Sequence, residues 1–90
     1  MDRMHRASEE RATRGEVLSA RRRLRELAAA EGLRHVRVDA IGTVLVTSDL
    51  PGYAAVRRFS TAATEAVGTG WVRVVTDDSE YARRIVTEPL

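Results

Sequence analysis

Between Val36 and Thr76 the hydrophobic period switches from that of a strand to that of a helix and back, and few folds accommodate such a sequence. Val36, Val38 and Ala40 alternate with Arg37 and Asp39, the pattern of a strand with one solvated face. Val44-Leu45-Val46 is a short apolar run rich in β-branched residues and reads as a second strand. Between them, Asp39 to Thr43 reads as a short hairpin turn in which Gly42 takes a positive φ. Asp49-Leu50-Pro51-Gly52 breaks the strand; proline is tolerated near a helix start because its missing N–H would have no intrahelical partner there. From Tyr53 the spacing becomes helical. Val56, Phe59, Ala63 and Val67 share one face, with Ala66 beside them, while Arg57, Arg58, Thr61 and Glu65 point elsewhere. Gly68-Thr69-Gly70 ends this helix, and Trp71 to Thr76 reads as a third strand.

The flanking segments add helices. Thr13-Arg14-Gly15-Glu16 is a capping box, in which the Thr13 hydroxyl accepts from a backbone N–H and Glu16 reaches back. A helix then runs to about Glu31 and stops at Gly32, with Val17, Ala20, Leu24, Leu27 and Ala28 as its apolar stripe. Asp77 or Asp78 reads as the cap of a third helix, with Glu80 in its first turn and Tyr81, Ala82 and Ile85 as a short apolar face. That helix is expected to cover the open sheet face or an edge strand. The expected fold is α+β, a two-layer sandwich in the order α-β-β-α-β-α, with a three-stranded sheet packed on two helices. Residues 1–12 are expected to form a flexible arginine-containing arm, and residues 13–90 a single domain.

These residues resemble the BON domain, a small α/β module named for bacterial osmotic-stress and nodulation proteins. Gly42-Thr43-Val44-Leu45-Val46 is similar to the family's G-x-V-x-L run, and Leu50-Pro51-Gly52-Tyr53-Ala54 to its helix entry. Ala62-Ala63 and Ala66-Val67 match its Ala-rich helix. Thr47-Ser48-Asp49 stands where the family commonly has Ser/Thr-Gly, and Gly70-Trp71 where it has Gly-Val. The resemblance covers the chain from within the first helix to Thr76. It implies association with anionic phospholipid surfaces or with a protein partner.

Composition narrows the chemistry. The chain has no cysteine, so thiolate nucleophiles, disulfides and Cys-ligated zinc are excluded. His5 and His35 are the only histidines and lie far apart, which argues against a histidine-built metal centre. All 15 basic residues are arginine, which excludes a lysine-based phosphate loop or Schiff base and, with the many Ala and Val residues, fits coding from a GC-rich genome. No nucleophile elbow, Walker loop or dinucleotide fingerprint appears. The expectation is a non-enzymatic binding or interaction module with no cofactor and no metal. No apolar run approaches the roughly 20 residues of a membrane span, and a cytoplasmic setting is expected.

Charge is uneven. Residues 1–37 hold ten Arg against six acids and residues 38–90 five against seven, so the N-terminal part is the candidate for an acidic partner. Its densest feature is Arg21-Arg22-Arg23-Leu24-Arg25, whose side chains fan around the helix at about 100° per residue. Two readings stand side by side: a solvated, partly self-paired helix face, and a patch that faces phosphate or lipid headgroups. Arg21, Arg22, Arg23 and Arg25 are the candidates for anionic contact, and Trp71 for apolar contact. If Val72 and Val74 face the core, Trp71, Arg73 and Val75 line the other sheet face, and Trp71 with Leu45 and Val75 would make an apolar patch; alternatively Trp71 folds under the third helix or the N-terminal arm. Nucleic-acid binding through the arginine-rich helix, and homo-oligomerisation through a sheet edge, are the alternative functions.

Overall fold

The structure, a computed structural model, describes residues 10–90. Its elements in chain order are α1 (Arg14–Ser19), α2 (Arg21–Ala30), β1 (Arg37–Asp39), β2 (Leu45–Thr47), α3 (Tyr53–Val67), β3 (Val74–Thr76), α4 (Glu80–Arg84) and β4 (Thr87–Pro89). The α+β class holds, but the sheet has four strands, not three, in the order β3-β2-β1-β4. β1 is antiparallel to both β2 and β4, and β2 is parallel to β3. A parallel neighbour requires a crossover connection, and α3 supplies it between β2 and β3. The added strand, Thr87-Glu88-Pro89, contains a proline, which a sheet tolerates at its edge.

The core lies between the sheet and the three longer helices. Val17 from α1, Leu24 and Ala28 from α2, and Ala55, Val56, Phe59 and Ala63 from α3 meet Val38, Leu45, Val72 and Leu90 from the sheet side. Phe59, Leu24, Leu45 and Val38 are fully buried, and burial of each such side chain stabilises by about 1.5–3 kcal/mol. Alternation sends Arg37, Asp39, Val44 and Val46 to the opposite face. That face is covered too: Tyr81 of α4 lies across it, its hydroxyl donating to Asp39 Oδ2 at 3.2 Å, and the Arg73 guanidinium stacks 4.9 Å from the Tyr81 ring centre. Leu45 is in the helix-side core, so the expected patch of Trp71 with Leu45 and Val75 does not exist. α4 is capped by Ser79, whose side chain accepts from Ala82 N–H, and not by Asp77 or Asp78; Asp78 instead accepts from the Thr76 hydroxyl.

The first helix is two helices. The capping box of Thr13 and Glu16 is present, and the helix breaks at Ala20, which closes α1 and opens α2. The break lets Arg14 reach the bottom of the sheet, where its guanidinium donates to the carbonyls of Asp39 and of Gly42, the latter at 2.8 Å, and to the Glu88 carboxylate. Gly42 is needed there for space, not for a positive φ: a Cβ would stand 2.7 Å from Asp39 Oδ2, which folds over the turn while Oδ1 accepts from Ile41 N–H.

Of the expected arm over residues 1–12, the first nine residues lie outside the described ones. The last three are held in the fold. Trp71 N–H donates to Glu10 O at 2.7 Å and Ala12 N–H to Trp71 O at 2.9 Å. Arg73 turns its carbonyl to Leu45, and alternate residues of a parallel strand face the same neighbour, so Glu10 to Ala12 continue the lane of β2 beyond its start. Ala12 is buried in the core, and the Arg11 guanidinium sits 5.2 Å from the Trp71 ring centre.

Candidate binding surface

Most arginines of this fold have structural work. Arg14 ties α1 to the hairpin and β4, and Arg37 donates to both the side chain and the carbonyl of Thr87. Arg58 pairs with Glu31 at 2.8 Å, Arg84 with Glu80 at 2.5 Å and Arg23 with Glu26 at 3.4 Å. Arg11 and Arg73 stack on aromatic rings. Among the described residues, Arg21, Arg22, Arg25, Arg34, Arg57 and Arg83 are exposed and have no acidic partner.

Three of these six belong to α2. With Leu24 and Ala28 setting the buried direction, Arg21, Arg25 and Arg22 fall within an arc of about 100° on one flank, and Arg23 falls on the other flank beside Glu26. The run fans around the helix as its spacing predicts, and pairing divides it: Arg23 is paired and the other three are not. The unpaired flank adjoins a groove of about 260 Å³ between α2 and β4, floored by Ala28, Leu33, Val36 and Leu90, with Arg25 and His35 at its rim. Arg34 and His35 line a neighbouring groove with Leu50 and Pro51. His35 is exposed and its φ of 59° lies in the left-handed region, which turns the chain out of α2 into β1.

Trp71 is not part of this surface. It stands 44% exposed at the far end of α3, next to the paired residues 10–12. Ile41 at the hairpin tip and Val86 before β4 are exposed at the same end of the sheet, 90% and 77% respectively. Ala40 N–H donates to Val86 O, and at the usual strand spacing the row from Trp71 to Val86 crosses roughly 14 Å. Sequence reading missed Ile41 and Val86, since a single exposed apolar residue carries no period. It also missed Arg34 and the groove, which depends on β4.

Among the described residues no group of three His, Asp or Glu side chains could hold a metal ion. No described helix is long and apolar enough to cross a membrane. No protein-family model, curated protein or solved structure matches the chain.

Proposed function

We propose that this chain is a non-enzymatic binding module that engages an anionic partner through the unpaired flank of α2. The observation that carries the reading is the division of the arginines: Arg21, Arg22 and Arg25 stand exposed and unpaired on one flank of a helix that is buried along Leu24 and Ala28. The planar guanidinium recognises carboxylate and phosphate through paired N–H donors, and leaving three of them free on one flank suits a partner rich in such groups. The test is the triple variant Arg21→Glu, Arg22→Glu, Arg25→Glu, compared with wild type for binding to phosphatidylglycerol vesicles, duplex DNA and acidic peptide. Binding is expected to fall for every anionic probe while the thermal midpoint holds; a variant that binds them all as wild type does would end the proposal.

A second reading, contact with an anionic phospholipid surface as the resemblance to BON domains implies, is favoured by the row of Trp71, Ile41 and Val86 at one end of the sheet. Exposed apolar side chains beside arginines suit a lipid interface. Its mark is vesicle flotation that survives salt and is lost in Ile41→Ser with Val86→Ser. Nucleic-acid binding would show instead a steep salt dependence set by the number of phosphates contacted.

A further inference from the structure

Resting on the α2 reading, we infer that the groove between α2 and β4 is the seat of an acidic, leucine-bearing segment of a protein partner: one apolar side chain enters the groove and flanking carboxylates reach Arg21, Arg22 and Arg25.

Three observations carry this. The groove is recessed and its floor is apolar, with Ala28, Leu33 and Leu90 almost wholly withdrawn from water and Val36 partly so. A concave apolar floor receives a projecting side chain; a lipid surface needs side chains that project from the protein, and none of the exposed large apolar residues, Ile41, Leu50, Tyr53, Trp71 and Val86, lines this groove. Arg25 at the rim is exposed and unpaired, with Arg21 and Arg22 on the same flank of α2, which suits carboxylates beside the apolar side chain.

The third observation limits the geometry of the partner. β4 is the free edge beside the groove, and the register leaves Thr87 and Pro89 with their backbone groups turned outward, because Ala40 and Val36 take the polar groups of Val86 and Leu90. Pro89 has no N–H to offer, and the Thr87 carbonyl already accepts from Arg37 at 3.0 Å. That leaves this edge only the Thr87 N–H and the Pro89 carbonyl to offer, which disfavours strand addition. The partner is therefore held by side chains, and an amphipathic helix presents leucine and glutamate together as the groove and rim require.

The probe is a short fluorescein-labelled peptide with leucines at helical spacing and glutamates elsewhere, beside two controls: alanine for leucine, and glutamine for glutamate. Anisotropy gives affinity, and methyl NMR of the full chain gives location. Each control and the Arg25→Glu variant are expected to weaken binding at least about tenfold. The leucine peptide is expected to shift the methyls of Leu33, Val36 and Leu90. Equal affinity for the alanine peptide, or shifts at Ile41 and Val86 instead, overturns the groove; if Arg25→Glu still weakens binding in that case, the α2 reading stands without it. The same methyl shifts produced by phosphatidylglycerol vesicles in place of peptide, or by raising the concentration of the chain alone, assign the groove to lipid or to a second copy and overturn the peptide. Failure of every anionic probe to respond to Arg25→Glu or to the triple reversal overturns both.

Discussion

Replacing Gly70 with alanine should release the strap formed by residues 10–12. A Cβ at position 70 would stand 2.5 Å from Ala12 N, 2.7 Å from the Arg11 carbonyl carbon and 2.8 Å from Ala12 Cα, and all three are backbone atoms with no rotamer to escape into. The strap is held by two backbone hydrogen bonds to Trp71, by the buried Ala12 and by Arg11 over the indole. At about 1 kcal/mol for each hydrogen bond, about 0.8 for the methyl and about 0.5 for the cation–π contact, its loss costs about 3 kcal/mol. Gly70 is not in the left-handed region, so alanine also removes unfolded-state freedom and returns about 0.5 kcal/mol. A net cost of about 2.5 kcal/mol is a large fraction of the stability of a domain this size, and in urea it lowers the midpoint by about 1.5 M. Trp71 is the only tryptophan, so its emission reports the strap directly and should move to the red as Arg11 and Ala12 leave. Gly15→Ala is the control: a Cβ there meets nothing within 4 Å, and the midpoint should hold or rise. An unchanged midpoint and unchanged emission in Gly70→Ala would refute the close approach and with it the docking of Glu10 to Ala12.

Arg14→Ala removes donors to Asp39 O, Gly42 O and the Glu88 carboxylate, and should destabilise by about 2–3 kcal/mol in urea unfolding, with Arg14→Lys recovering only part because a lysine cannot span the same fork. Tyr81→Phe takes the hydroxyl donor from the buried Asp39 carboxylate, leaving the Ile41 N–H, and should cost about 1–2 kcal/mol; a neutral result would show that water replaces the hydroxyl. The triple reversal at Arg21, Arg22 and Arg25 should leave the unfolding midpoint within about 0.5 kcal/mol of wild type, since all three are exposed and unpaired, while abolishing binding to acidic peptide.

The strongest periods in the sequence translated directly into structure. Val56, Phe59 and Ala63 are buried on one face of α3, Val17, Leu24 and Ala28 on one side of the first two helices, and the Thr13–Glu16 capping box formed as the residues predict. What sequence reading did not reach depends on partners distant in the chain. The break at Ala20 has no breaker residue at it; it is imposed by the reach of Arg14 to the hairpin at one side and by the packing of α2 on α3 at the other. β4 was hidden because Thr-Glu-Pro has no apolar alternation and a proline, and only its place at the sheet edge makes it a strand. The exposed end row and the groove floor share this cause, since Val86 reaches the hairpin end at Ala40, and Leu90 joins Ala28 at the groove, only after β4 is in place. For the arginine run, the charge density was plain in the sequence, but which members were free depended on where Glu26, Glu31 and Glu88 ended up.

The side chain of Arg14 bonds to groups 25, 28 and 74 positions further along the chain. Such a tie cannot begin to form until the hairpin has closed and is complete only when the last strand has arrived, so it does not guide the early collapse. It belongs to the late, native side of the folding barrier. Weakening it should speed unfolding and leave the folding rate almost untouched, which makes this one guanidinium a latch on the lifetime of the native state and only secondarily on its formation. During synthesis the two hairpin carbonyls are available to Arg14 well before Glu88 leaves the ribosome, so the carboxylate that completes the tie is the last of its three partners to arrive.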